Sequence, residues 1–160
     1  MEIDVDQFCS TLVHSMSEAV IYADAGGLIH FWNDSAERMF GFGEAEAIGQ
    51  SLDLIIPENL RARHWAGFNQ TVETGTIHYA ADSVLAVPAM RKDGKRISVE
   101  FTVVAFRDEA GGMLGIAAVM RDVTARFEDT KALRKQLAEA QERLKHNLGS
   151  NADQPLAAPV

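Results

Sequence analysis

The chain has 160 residues, with 15 Lys plus Arg against 23 Asp plus Glu, a formal charge of −8 with histidine neutral. Hydrophobic residues at 47% and charged ones at 24% suit one domain that removes roughly two thirds of the unfolded surface from water, which excludes global disorder. The acidic balance argues against a nucleic-acid backbone or an anionic bilayer as partner, because both call for a basic face.

The single cysteine, Cys9, can supply neither an internal disulfide nor a thiolate metal cluster, which points to a reducing compartment. The acidic start lacks the basic region of a secretory signal, and no apolar run approaches the about 18 residues of a membrane span. The chain therefore reads as cytoplasmic.

Val5, Phe8, Cys9, Leu12, Val13 and Met16 recur at steps of three and four, one face of an amphipathic helix. Ala19 to Ala23 and Leu28 to Trp32 are β-prone runs separated by Asp24-Ala25-Gly26-Gly27, which predicts a hairpin. Asn33, Asp34 and Ser35 are capping types, and the short helix they start is stopped by Gly41 and Gly43. Pro57 suits a first helical position, and the helix it opens runs to about Glu73 with Gly75 as its stop. Leu60, His64, Phe68 and Val72 repeat every four residues along it.

The remainder reads as β. Ile77 to Met90 is extended, Lys92-Asp93-Gly94-Lys95 is a hairpin turn, and Ile97, Val99, Phe101, Val103 and Ala105 alternate with polar residues. Met113 to Met120 is apolar at both parities, so both its faces call for cover, the outer one by the N-terminal helix. From Thr124 to about Asn147 a charged helix carries Leu133, Leu137, Ala140 and Leu144 at steps of 4, 3 and 4, the spacing that the seam of a coiled-coil homodimer requires, although two heptads also suit a solvated, salt-bridged appendage. The resulting division is 1–17 amphipathic helix, 18–124 domain, 125–148 signalling helix and 149–160 disordered tail.

This element order, with Gly27-Leu28-Ile29-His30-Phe31-Trp32-Asn33, Ala36-Glu37-Arg38-Met39-Phe40-Gly41, Glu46-Ala47-Ile48-Gly49-Gln50-Ser51, Ile56-Pro57, Arg91-Lys92-Asp93-Gly94 and Arg121-Asp122-Val123-Thr124, resembles the PAS sensor domains. The resemblance implies an α+β PAS fold: a five-stranded antiparallel sheet flanked by short helices, with an N-terminal cover helix and a C-terminal coiled-coil-like helix. It also implies a small molecule or cofactor held between sheet and helices, whose state is passed to the exit helix. Asp122 is expected to hold an Arg or Lys at the strand end, and Thr124 to cap the exit helix.

Light-sensing PAS domains form a flavin adduct on a cysteine where this chain has Leu52, which sets that chemistry aside. The segment from Ile55 to His64 resembles the haem-binding, FixL-type branch, in which a histidine after Ile-Pro and an Arg-rich turn ligates iron. The resemblance implies haem b on His64, with Leu60, Phe68, Phe101, Val103 and Ile116 as walls and His78 near a propionate. A neutral imidazole on an apolar helix face suits axial ligation, although it suits a core histidine as well. Those sensors place Arg or Met on the following strand, where Asp82, Ser83, Val84 and Leu85 are the candidates here; this departure turns the expectation from oxygen toward CO, NO or redox sensing.

Two function classes remain. One is a haem-based gas or redox sensor; the other is a haem-free PAS module that takes a small apolar metabolite or only relays signals as a dimer. No phosphate loop or nucleophile, base and orienter set can be assembled, so no catalysis is expected. Output is expected to pass through a downstream signalling protein or a further part of a longer chain.

Overall fold

The computed structural model describes residues 3–76 and 86–152. The chain divides after Thr124 into two compact units.

In the first unit, helix α1 (Val5–Ser15) starts at Asp4, whose carboxylate accepts from the Asp6 and Gln7 amides. Strands β1 (Ala19–Asp24) and β2 (Ile29–Trp32) follow, then helices α2 (Asp34–Phe40) and α3 (Glu44–Ala47). Two 3-10 turns, Leu52–Leu54 and Glu58–Leu60, lead into α4 (Arg61–Thr74). Strands β3 (Val87–Met90), β4 (Arg96–Arg107) and β5 (Met113–Asp122) complete the unit. Helix α5 (Thr124–Ala152) begins at its last residue.

The five strands form one antiparallel sheet in the order β2-β1-β5-β4-β3. The last strand in the chain is thus the middle one in the sheet. Its register puts Met120 beside Ala19 and Phe101, Ala118 beside Ile21 and Val103, and Ile116 beside Ala23 and Ala105. All these side chains share one face, since alternate residues of paired strands point the same way. Ala19, Ile21, Val99 and Met120 of that face are buried with Trp32 at the end of β2, Phe40 of α2, Ala47 of α3 and Ile55 after the first 3-10 turn.

One residue ties the layers together. Asn33 is 1% exposed; its Oδ1 accepts from the amides of Val20 (2.9 Å) and Ala36 (3.0 Å), and its Nδ2 donates to the carbonyls of Val13 (2.8 Å) and Glu18 (3.0 Å). Every hydrogen-bonding capacity of the buried amide is used.

Three expectations change in detail. Pro57 caps the Glu58–Leu60 turn instead of opening the helix, because the Leu60 amide closes an i to i+3 bond on the Pro57 carbonyl (2.8 Å), and the tighter turn delays α4 to Arg61. The long exit helix continues past Gly149 to Ala152; glycine weakens a helix but leaves its N–H in place, so it need not end one. Third, α1 does not lie across β5. It is tied to the start of α2 by Asn33 and by Ser35, whose hydroxyl donates to the Met16 carbonyl (2.6 Å), and His14 meets Phe31 of β2 at 5.4 Å. Val5, Phe8 and Leu12 stay exposed on it, as do Val104 (51%) and Phe106 (47%) on the outer sheet face.

Of the extended stretch expected from Ile77 to Met90, Val87–Met90 forms β3; 77–85 lies outside the described residues.

Candidate functional site

The inner sheet face is unevenly covered. Ile97 and Val99 are buried, whereas Phe101, Val103 and Ala105 farther along β4, and Ile116 and Ala118 beside them on β5, are only half-buried. Helix α4 packs against β5, and Gly75 at its end accepts from Arg107 at the far end of β4. Of the expected walls, Phe68 is buried on α4, Leu60 is half-buried at the end of the preceding turn, and Phe101, Val103 and Ile116 share the half-covered face. His78, Asp82, Ser83, Val84 and Leu85 lie outside the described residues.

His64 differs from an ordinary core histidine. Its Nδ1 is buried and has no hydrogen-bond partner among the described residues, although buried polar atoms are nearly always paired. The ring stacks on Phe68 with centroids 5.9 Å apart and meets Trp65 edge to face at 5.1 Å. Burial pushes the imidazole pKa below its ordinary value, and the Asp53 carboxylate only partly opposes that shift. The result is a neutral imidazole with an unspent nitrogen, the state in which histidine ligates a metal. Among the described residues no three His, Cys, Asp or Glu side chains converge to hold a metal ion. A lone imidazole therefore suits a metal whose other ligands come with it, as in a porphyrin.

The start of α4 is held by a constellation without a spacing motif. Trp65 Nε1 donates to Asp53 Oδ1 (2.8 Å), and Arg61 Nη2 donates to the Asp53 carbonyl (3.1 Å) while its Nε donates to the Ile56 carbonyl (3.3 Å). Arg61 of the Arg-rich turn thus closes the loop before α4. No spacing in the sequence links Trp65 to Asp53, twelve residues away. At the other end Gly75 takes φ +66° and its carbonyl accepts from Arg107 Nη2.

The end of β5 is held by other bonds than expected. Asp122 Oδ1 accepts from the Thr124 amide (2.9 Å) and hydroxyl (2.5 Å), and Thr124 Oγ1 accepts from the Ser98 amide of β4 (2.9 Å). Asp122 rather than Thr124 supplies the cap, and the cation at the strand end, Arg121, pairs with Glu18 (2.7 Å) instead. The hydroxyl of Thr124, facing the neighbouring strand, is taken by β4.

No helix among the described residues is long and apolar enough to cross a membrane. A family model described as PAS fold matches residues 7–123. The chain is 29% identical over 160 residues to the Sensor protein FixL of Bradyrhizobium diazoefficiens, covering 92% of this chain and 30% of that protein. It is 28% identical over 129 residues to the Oxygen sensor protein DosP of Escherichia coli, covering 79% of this chain and 16% of that one. The chain thus spans less than a third of either relative. Among solved structures, a PAS domain of a Colwellia psychrerythraea protein superposes with TM-score 0.66 at 21% identity, covering 76% of this chain and 99% of that one. An RNA-binding Light-Oxygen-Voltage receptor also scores 0.66 at 23% identity, over 84% and 37% of the two chains. At these identities the structural likenesses speak to the fold alone.

Proposed function

The chain belongs to the PAS fold family and is a sensory signalling module of that kind, and we propose that it binds haem b through His64 and serves as a gas or redox sensor. The observation that carries this reading is the buried, unpartnered Nδ1 of a neutral imidazole on α4. It is supported by the half-covered apolar face of Phe101, Val103 and Ile116 and by the similarity to FixL and DosP. When bound, haem would supply an iron centre open to a diatomic ligand or to one-electron change. The chain's own part is to hold the imidazole neutral, to wall the porphyrin with Leu60 and Phe68, and to keep water from its apolar face.

A displacement of β4 or β5 reaches the exit helix through the Ser98, Asp122 and Thr124 bonds, since Thr124 is both the end of the sensor unit and the first residue of α5. Leu133, Leu137 and Leu144 of α5 are exposed in the single chain, which supports pairing of that helix in a homodimer and onward signalling to a downstream protein.

Visible absorption of the purified protein, with and without added hemin, tests the haem reading. A Soret band is expected for the wild type and its loss for His64→Ala. A protein that stays colourless after hemin addition sinks the reading and leaves a PAS module for a small apolar metabolite or for relay alone.

A further inference from the structure

A histidine that ligates a metal is usually oriented by a hydrogen bond from its other ring nitrogen to a carboxylate or carbonyl. Among the described residues His64 has no such bond at either ring nitrogen. Its ring plane is set by two aromatic neighbours, Phe68 one turn on and Trp65 next in sequence. Phe68 is itself buried in the packed layer. The orientation of the imidazole therefore depends on what holds Trp65.

Two contacts hold the indole. Gly27 lies under it, at φ +79°, in a place where a Cβ would overlap the ring. At the other end the Nε1–H donates to Asp53 Oδ1 at 2.8 Å. Asp53 is immobile in turn: its amide donates to Ser51 Oγ (3.2 Å), its carbonyl takes Arg61, and the amide of Leu52 beside it donates to the Gly27 carbonyl (3.1 Å). Gly27 and Asp53 are thus one rigid seat built from the β1–β2 turn and the 3-10 turn. The Trp65 ring spans that seat, and Phe68 meets it edge to face at 5.4 Å.

We propose that Asp53 is the positioning residue of this site: by accepting from the Trp65 indole it fixes the ring against which the His64 imidazole is oriented. The assignment rests on the role proposed for His64, yet it concerns contacts that exist without any bound group. Position 53 serves because a side-chain oxygen accepts from the indole while the backbone carbonyl of the same residue takes Arg61, so the first two turns of α4 close on one residue. Ring orientation matters to a ligand because the nitrogen lone pair lies in the imidazole plane, and a rotated ring aims it elsewhere.

The test compares Asp53→Asn, Asp53→Ala and Trp65→Phe with the wild type at one alkaline pH, where the imidazole is neutral in every variant, and without hemin, following the His64 ring-proton NMR shifts, assigned by their loss in His64→Ala. Asn keeps an acceptor for the indole, so its His64 signals stay at the wild-type position, whereas Asp53→Ala and Trp65→Phe move or broaden them. Hemin titration follows: Asp53→Ala is expected to bind about 10-fold more weakly, the scale of losses seen when an orienting partner is removed, and Asp53→Asn to bind as the wild type does. Unmoved His64 signals in Asp53→Ala overturn the proposal; if that variant does not fold, unmoved signals in Trp65→Phe do so. An Asn variant as disturbed as the Ala variant also overturns it, since the effect then belongs to the charge of the carboxylate, which lies 3.6 Å from Arg61 Nε. A wild type that takes up no hemin ends the haem reading, and the NMR shifts still decide the role of Asp53.

Discussion

Asn33 and His64 are both polar side chains set into apolar surroundings, and the molecule treats them in opposite ways. The Asn33 amide meets four backbone partners between 2.8 and 3.0 Å and joins α1, β1 and α2. His64 buries Nδ1 against no partner, between two aromatic rings. Satisfying a buried amide completely is how a fold secures one arrangement of its elements. Leaving a buried nitrogen unsatisfied costs stability, and such local inconsistency is typical of places kept for function. The first residue belongs to the scaffold and the second to the proposed site.

The largest expected effect comes from removing the satisfied group. Asn33→Ala strands the Val20 and Ala36 amides and two carbonyls in the interior, and should cost about 3 kcal/mol in denaturant-induced unfolding. A loss below about 1 kcal/mol would mean that water replaces the amide and that Asn33 is no keystone.

Next is the seat of Trp65. Gly27→Ala forces a side chain to φ +79° and into the indole, with an expected loss of about 2 kcal/mol. The same variant should shift Trp65 fluorescence, read against a Trp65→Phe background, because the ring can no longer lie on the turn.

The smallest effect has the opposite sign and sharpens the comparison most. Without hemin, His64→Leu replaces an unpaired buried nitrogen by hydrocarbon and should raise stability by about 1 kcal/mol, while hemin binding is lost. It should also change the response to acid. Burial holds the folded His64 below its ordinary pKa of 6.5, so between the two values the unfolded chain binds a proton that the folded chain does not. His64 therefore makes stability fall as pH drops through about 6.5, and the fall ends below the folded pKa. Unfolding curves measured from pH 7.5 to 5 should show a shallower slope in His64→Leu; equal slopes would mean that His64 is solvated when folded.

The elements were legible wherever local chemistry decides them. The β1–β2 turn is marked by Gly26-Gly27, the start of α2 by Asn33, and the alternation of β4 by apolar residues at every second position from Ile97. His64 and Phe68 could be placed on one helix face by their spacing of four. The Asp53, Trp65 and Gly27 seat could not, because its members lie on three elements and no period links them. The position of α1 was misjudged for a related reason: its apolar stripe announces a face to be covered without saying by what, and the bonds that fix its end come from Asn33 and Ser35 on the far side of a hairpin.

What the sequence by itself determined is the order and type of the elements and the helix face on which the imidazole stands, since propensity, capping and periodicity act over a few residues. Only the tertiary structure decided that β5 becomes the central strand, that Asn33 uses all its hydrogen bonds and that His64 leaves one unused. Whether a polar atom finds a partner depends on groups brought within 3 Å from distant parts of the chain, and local spacing does not encode that meeting.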